Sequence, residues 1–578
     1  MTSSMPTGNL NNAERFAMAL YRHGVREIFG QSIPVSLMQV APCFGIRQIG
    51  YRAENAGGIM ADGYARISGR IGVVAAQNGP AATLLVPPLA EALKSSIPLL
   101  ALVEEIPASD EQRNAFQEYD HRALFASCAK WIGRLSCGER LEDFVDLAMT
   151  HALSGRPGPV VFLLPRDVMG ATATSTPRDT QLGSFPLDRA VPDPSVIAEA
   201  ARLIAGAQRP FVLAGGGVHI SGASEELVLL CERFALPVAT SNMGKGAIAE
   251  DHALSLGVFG NCMAEGTVAH ELRDHASGAD LVLLVGTRTS QNATDAWTLL
   301  PRDVPCLHID IDGVEIGRNY PALRLAGDAK LTLEALNVAL GRESLGYDPD
   351  RRRKAIGEAT DAARAVASEK ASRAGTGRPG AVRPEALMRA LDDRLQPGDI
   401  LVADASYSTN WMNSFLRARR TGQRFLTPRG LAGLGWGMPM AMGAKLASPQ
   451  SRVIALVGDG GFGHCWAELE TMRRMGIDVR VIVLNNAILG YQTHGENAFY
   501  GQHSDACELT PVNHAGIAGM CGLKGLVLDD PGKIGEAIDA LLGHDGAALL
   551  DVMTDPDAHP PLSQFVGRTT RGPVVGAN

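Results

Sequence analysis

The nine cysteines of this 578-residue chain are scattered from Cys43 to Cys521 without a single Cys-x-x-Cys pair. That excludes a disulfide framework and fits free thiols in a reducing compartment. The first 25 residues have neither a cationic start nor a long apolar core, so no signal peptide is expected. No uninterrupted apolar run reaches the roughly 18 residues that a transmembrane helix needs. Basic surface is also missing: the formal net charge is −9, and the densest cationic spot, Arg351-Arg352-Arg353-Lys354, falls in a segment that reads as a linker helix. The expectation is a cytoplasmic protein that binds neither nucleic acid nor membrane. What remains is ordinary globular composition, 46% hydrophobic and 20% charged, in a chain too long for a single core. Three domains are the natural count.

The stretch that organises the chain lies near its end. An apolar run at 453–457 reads as a buried strand and breaks at Gly458-Asp459-Gly460-Gly461. A helical segment follows, and a second apolar strand at 479–484 ends at Asn485-Asn486. This is a βαβ unit with a carboxylate and an amide at the carboxyl ends of neighbouring parallel strands, where open α/β sheets hold their ligands. Glycines let backbone N–H groups approach a phosphate, and Asp459 and Asn486 offer hard oxygen atoms to Mg²⁺. The predicted ligand is a metal-bridged diphosphate. Neither the phosphate loop of nucleoside-triphosphatases nor a dinucleotide fingerprint reads at this place.

A Gly-Asp-Gly alone is also what a plain strand-to-helix turn contains; the Asn-Asn about 25 residues later gives it weight. Together they resemble the signature of thiamine diphosphate (ThDP) enzymes. The resemblance extends over almost the whole chain and is greatest to the acetolactate synthase-like branch. It implies an α/β protein of three doubly wound domains with mainly parallel sheets: a pyrimidine-binding domain at 1–178, a central domain at 190–345, a diphosphate-binding domain at 380–560, and a tail at 561–578 carrying Arg568 and Arg571. The first and third share a strand-helix-strand rhythm that looks like an old duplication.

In chain order, Asn12 is the expected cap of a first helix that Gly24 stops, and residues 27–30 begin a short strand. Glu54 lies where a strand hands over to a helix of small residues, with Ala56, Gly57, Met60, Ala61 and Tyr64 at helical spacing against something flat. A glutamate there is by default a favourable charge near the helix dipole. In the family, a helix-initial glutamate touches the aminopyrimidine ring of the cofactor, and Glu54 matches it. Phe116-Gln117-Glu118 matches the branch's active-site Phe-Gln-Glu, and Asn78 and Pro80 fall in the turn expected beside the cofactor. Residues 176–190 and 346–382 read as linkers. In the central domain a strand at 210–214 ends in Gly215-Gly216-Gly217, by itself a tight turn. Acetolactate synthases hold FAD there through an Arg-Phe-Asp-Asp-Arg segment; this chain reads Thr287-Arg288-Thr289-Ser290-Gln291-Asn292, which counts against FAD.

In the third domain Ser406, Tyr407 and Ser408 follow a strand and are expected to meet the diphosphate. The glycine-interrupted stretch 430–439 resembles the family segment in which one bulky apolar side chain props the bent cofactor; Leu434 matches that residue, with Ala432 beside it. Glycines around Leu434 leave room that something else must fill. The resemblance thus places ThDP and Mg²⁺ on Ser406, Tyr407, Ser408, Ala432, Leu434, Asp459, Gly460, Gly461, Asn486 and Ile488, the metal on Asp459, Asn486 and the Ile488 carbonyl, and catalysis on Glu54 and Gln117. The substrate frame departs from that of acetolactate synthases: Gln31-Ser32-Ile33-Pro34 replaces Tyr-Pro-Gly-Gly, Ala53 replaces His, and Gly495 stands where a Trp shapes the acceptor pocket. Gln31, Phe116, Tyr491, Gln492 and His494 are the candidate pocket residues. The expectation is a 2-keto acid decarboxylase or carboligase with an altered pocket, working as a homodimer or a dimer of dimers. Alternatives are a lyase of 2-hydroxyacyl-CoA or oxalyl-CoA, and a non-catalytic regulatory homologue.

Overall fold

The computed structural model describes residues 10–563; Arg568 and Arg571 lie outside the described residues. Three six-stranded parallel sheets follow one another along the chain. The first holds β1 (Glu27–Phe29), β2 (Arg47–Ile49), β3 (Gly72–Ala76), β4 (Leu99–Glu105), β5 (Trp131–Arg134) and β6 (Val160–Pro165), in the order β2-β1-β3-β4-β6-β5. The second holds β7 (Pro210–Ala214), β8 (Val238–Thr240), β9 (Ser255–Val258), β10 (Leu281–Val285), β11 (Cys306–Asp310) and β12 (Leu323–Ala326). A short antiparallel hairpin, β13 (Gly377–Arg378) and β14 (Ala381–Val382), precedes the third sheet. That sheet holds β15 (Ile400–Ala403), β16 (Phe425–Leu426), β17 (Val453–Gly458), β18 (Arg480–Asn485), β19 (Lys524–Leu528) and β20 (Ala548–Met553). The middle strands are continuous buried runs, as parallel strands covered on both faces must be.

The order of the third sheet, β16-β15-β17-β18-β20-β19, repeats that of the first strand for strand. The shared rhythm of the two domains is therefore a shared topology. Both reverse direction between their first and third strands, so each has a ligand crevice there. The central sheet runs β9-β8-β7-β10-β11-β12, the dinucleotide-binding order, with its switch between β7 and β10.

Helix α1 (Asn12–Arg22) is capped by Asn11, not Asn12: the Glu14 N–H donates to Asn11 Oδ1 while the Asn11 N–H donates to the Glu14 carboxylate. Asn12 is buried, and its amide donates to the Val168 carbonyl instead. Helix α2 (Glu54–Ser68) carries the small-residue face, α3 (Val86–Ser95) packs beside it, and α4 (Gly437–Ala447), α5 (Glu468–Met475) and α6 (Gly490–Tyr500) belong to the third domain. The expected flat partner of α2 is another small-residue helix, α4. A Cβ on Gly63 would stand 2.1 Å from the Met440 carbonyl oxygen, and one on Gly443 only 1.8 Å from that of Met60. The two backbones touch, so the first and third domains of one chain share a single core that includes Met60, Ala61, Met440 and Ala441.

Candidate active site

At the switch point of the third sheet, the ends of β15 and β17 meet. A Cβ on Gly461 would lie 2.0 Å from Asp404 Oδ2, so only glycine lets the turn after β17 come this close. Asp459 opens that turn, 8% exposed, with its Oδ1 accepting from the Gly460 N–H at 2.9 Å and its Oδ2 from the Ala487 N–H at 2.7 Å. Burial pushes its carboxyl up to about 6, against the pull of these N–H groups. The two asparagines at the end of β18 divide their work. Asn485 is structural, its amide donating to the Val512 carbonyl and to Asp551, whereas Asn486 lines the same cavity as Asp459 and its side-chain oxygen accepts from the Ile488 N–H. Asp459, Gly460, Gly461, Asn486, Ile488, Ser406, Tyr407, Ser408, Ala432 and Leu434 line one cavity of about 510 Å³. One carboxylate, one amide oxygen and one carbonyl form a hard-oxygen set suited to Mg²⁺. Among the described residues no cluster of three or more His, Cys, Asp or Glu side chains competes for a metal.

Leu434 is held on this wall by two buried carboxylates. Glu91, on α3 of the first domain and fully buried, accepts from the N–H groups of Gly430 (2.7 Å), Leu431 (2.5 Å) and Ala432 (3.3 Å). Asp404, 1% exposed, accepts from Gly435, Trp436 and Gly437 at 3.0, 3.0 and 3.3 Å; burial raises its carboxyl. The room left by the glycines is filled by the chain: Trp436 abuts Gly433, His464 abuts Gly435, and Val457 abuts Gly437.

The first domain carries a second group of predicted residues. Glu54 is the first residue of α2, half-buried and next to Tyr51. Its position is set from the third domain: Ala53 lacks a side-chain cap, and Glu468 of α5 accepts from the N–H groups of Arg52 and Ala53, each at 3.0 Å. Burial raises the Glu468 carboxyl, against these bonds and the one from Thr471. Gln31, exposed at the end of β1, donates to the Arg52 carbonyl. Asn78 donates to the Gln117 carbonyl at 3.0 Å, Pro80 starts the short helix after it, and Phe116 is 82% exposed. Asn78 Oδ1 and Gln117 Oε1 are buried and accept no hydrogen bond among the described residues. Asn78 and Gln117 share a cavity with Glu105 and His121. None of these first-domain residues lines the cavity around Asp459.

On α6, Tyr491 and Gln492 line the Asp459 cavity, while His494 stands behind Tyr407, whose hydroxyl meets His494 Nδ1 at 2.7 Å and His559 Nδ1 at 3.1 Å. Burial, then the neighbouring His559, hold His494 down to about 4. Around the two groups several non-glycine residues hold a positive φ, among them Gln117 (φ 62°), Ser406 (68°), Ala432 (62°) and Ala487 (56°). In the central domain Gly215 and Gly217 abut Gly286, and Thr287, Arg288, Ser290 and Asn292 help wall a cleft in which Arg156 is committed to Asp312 and Glu315. The segment 287–292 contributes no acidic side chain.

The residues that sequence reasoning missed are Glu91, Glu468 and Arg429. A lone acid on the buried face of an apolar helix was the available signal for Glu91.

Paired crevices on two identical sheets, one with a glycine cradle and oxygen donors, define a three-domain enzyme of the thiamine diphosphate type. Family models agree: "Thiamine pyrophosphate enzyme, N-terminal TPP binding domain" matches residues 10–124, the central domain 197–336, and the "C-terminal TPP binding domain" 404–552. The chain is 32% identical over 575 residues to a probable acetolactate synthase large subunit of Methanocaldococcus jannaschii, covering 97% of this chain and 95% of that one. It is 31% identical over 571 residues to an acetolactate synthase of Arthrospira platensis (94% of each). A chloroplastic acetolactate synthase of Arabidopsis thaliana is 30% identical over 570 residues, covering 95% of this chain and 82% of that one. The chain belongs to the thiamine pyrophosphate enzyme family, in its acetolactate synthase-like branch. Thiamine diphosphate with a divalent metal, typically Mg²⁺, is the cofactor pair this implies. No helix among the described residues is long and apolar enough to cross a membrane.

Proposed function

We propose that the chain is a Mg²⁺-dependent enzyme that decarboxylates a 2-keto acid and joins the remaining fragment to a second carbonyl compound, each active site being built from two copies of the chain. The observation that carries the two-copy reading is the division of the site. Glu54, Asn78 and Gln117 form one half, Asp459, Asn486 and Leu434 the other, and the Asp459 cavity contains none of the first group. Both halves leave apolar side chains bare: Phe116 and Tyr119 on one, Leu431 (56% exposed) and Leu434 (37%) on the other. Such rims are the mark of a surface that is covered in an assembly. A two-fold dimer lays each first-domain half against the partner's third-domain half. The units 1–178, 190–345 and 380–560 are the parts so arranged.

When bound, thiamine diphosphate supplies a nucleophilic thiazolium carbon and an electron sink for the carbon that loses its carboxylate. Asp459, Asn486 and the Ile488 carbonyl would hold Mg²⁺ as an anchor and template for the diphosphate. Leu434, its loop fixed by Glu91 and Asp404, would support the bound cofactor from the cavity wall. Glu54 would offer its carboxyl to the pyrimidine ring, and Gln117 would donate to the substrate carbonyl oxygen as charge develops there. Gln31, Phe116, Tyr491 and Gln492 shape an acceptor pocket different from that of the housekeeping synthases. The departures at Gln31-Ser32-Ile33-Pro34, Ala53 and Gly495 support this.

Native mass spectrometry and release of ¹⁴CO₂ from labelled pyruvate test the reading together. Glu54→Gln is expected to bind ThDP while its turnover falls by about 100-fold or more. Full activity in that variant, or a fully active monomer by sedimentation, would reject the assignment.

A further inference from the structure

Two residues line both the Asp459 cavity and the central cleft: Asn292 and Arg429. Arg429 directly precedes the glycine stretch that carries Leu434. The Nε and Nη2 of its guanidinium are shut off from solvent and find no acceptor among the described residues. The carboxylates in its electrostatic neighbourhood are already used. Glu91 is taken by the N–H groups of residues 430–432 and by Ser95, and Asp404 by those of residues 435–437. Burial lowers the Arg429 pKa, yet a guanidinium keeps its proton in a protein. Polar side chains also line the cavities it borders. Asn261, Asn292 and Asn410 line the same cavity, and the Cys262 thiol lies against the side-chain oxygens of Asn242, Asn261 and Asn410. A desolvated cation with two idle donors costs free energy that an incoming anion recovers.

We infer that Arg429, with Asn261 and Asn292 of the same cavity, is the subsite for a substrate carboxylate, and for one that is still present in the product. The inference rests on the 2-keto acid reading above. A carboxylate about to leave as CO₂ loses its charge on the way to the transition state. An arginine fork on it would hold the ground state more tightly than the transition state and slow the reaction. A retained carboxylate keeps its charge throughout, so the same fork orients the substrate without raising the barrier. Two sources share this chemistry: the carboxylate of an acceptor 2-keto acid, and the distal carboxylate of a dicarboxylic donor. The diphosphate is the weaker fit, because Ser408, Asp459 and Asn486 at its end of the cavity do not border the central cleft where Arg429 stands.

The test uses the full chain loaded with ThDP and Mg²⁺, titrated calorimetrically with 2-hydroxy-2-methylpropanoate and with its amide. These are unreactive and of similar shape, and differ in charge. The holoprotein is expected to bind the acid about tenfold to a hundredfold more tightly than the amide. Arg429→Gln should abolish that preference, and Arg429→Lys, which keeps the charge without the fork, should retain part of it. Equal binding of acid and amide by the unmodified protein would overturn the inference, as would a preference that survives in Arg429→Gln. A tenfold loss of ThDP affinity in either variant would assign the guanidinium to the diphosphate and overturn it too. If Arg429→Gln does not fold, Arg429→Lys decides by the same readouts. Turnover then separates the sources. A raised KM in Arg429→Lys for 2-oxobutyrate as acceptor, with none for propanal, identifies the acceptor carboxylate; a raised KM for 2-oxoglutarate as donor identifies the distal one. Failure of the unmodified protein to turn over any 2-keto acid, with the acid-over-amide preference intact, would sink the function proposed above and leave the anion subsite standing.

Discussion

Replacing Glu91 by Gln removes one carboxylate oxygen from a side chain that makes no contact with the Asp459 cavity, yet the cavity should feel it. Glu91 Oε1 accepts from Gly430 N–H (2.7 Å) and Ser95 Oγ (2.7 Å), and Oε2 from the N–H groups of Leu431 (2.5 Å) and Ala432 (3.3 Å). A carboxamide offers one acceptor oxygen and turns an NH₂ toward the other pair. Whichever way it sits, at least one backbone N–H in a half-buried loop loses its acceptor and faces a donor. Orphaned donors of this kind cost about 1–3 kcal/mol each, and hydrogen bonds to a charged partner are the stronger ones, so about 3 kcal/mol is expected in all. For domains of this size that corresponds to a fall of about 6–12 °C in melting temperature. The functional cost should be separable. With the loop released, Leu434 shifts while Asp459 and Asn486 stay in place, so ThDP affinity changes little. A misplacement of about 1 Å lowers kcat by about 100-fold. Differential scanning calorimetry, ThDP titration and steady-state kinetics on Glu91→Gln measure the three quantities. An unchanged melting temperature, or a normal kcat in a destabilised protein, would refute the idea that this carboxylate sets the loop.

Mixing the inactive variants Glu54→Gln and Asp459→Asn before reassembly should restore about one quarter of the unmodified activity, since half the dimers are mixed and each then holds one intact site; no recovery would argue against shared sites. Asp459→Asn removes the only carboxylate from the proposed metal set, so Mg²⁺ should no longer tighten ThDP binding, measured by fluorescence quenching with and without EDTA; a preserved Mg²⁺ effect would displace Asp459 from the role. His308 is 1% exposed, its Nε2 facing the Thr287 carbonyl at 2.9 Å, and burial lowers its pKa from 6.5 to about 4. A depressed folded pKa means that the unfolded chain takes up the proton first, so this contribution is full above 6.5 and lost as pH falls toward 4, by about 3 kcal/mol. His308→Gln should therefore flatten the loss of stability between those pH values in urea titrations; an unchanged slope would show that His308 is not its source.

The parts of the site that could be read from the chain alone are those in which chemistry and local structure coincide. Residues 458–461 and 485–486 sit at the ends of two buried strands of a single βαβ unit, so one short stretch carries both the fold and the ligand set. Glu54 was placed at a helix start by the hydrophobic pattern around it. What could not be read is whatever acts on backbone far away in the sequence. Glu91 and Glu468 grip N–H groups about 340 and 416 positions distant, and main-chain donors have no side-chain signature. Asn11 took the cap expected of Asn12 because one residue of register decides which of two adjacent asparagines points at the helix and which at the core. The idle state of Arg429 depends on which carboxylates are already taken, a fact only of the folded protein.

Gln117, Ser406, Ala432 and Ala487 hold a backbone twist that residues with a β-carbon avoid, each at a cost of about 1–3 kcal/mol. Part of the chain's reserve of heat tolerance therefore lies where it can least be drawn upon. Selection for thermal robustness alone would turn these four positions into glycines, and the loops so relaxed would gain freedom to wander at the places where the coenzyme needs them still.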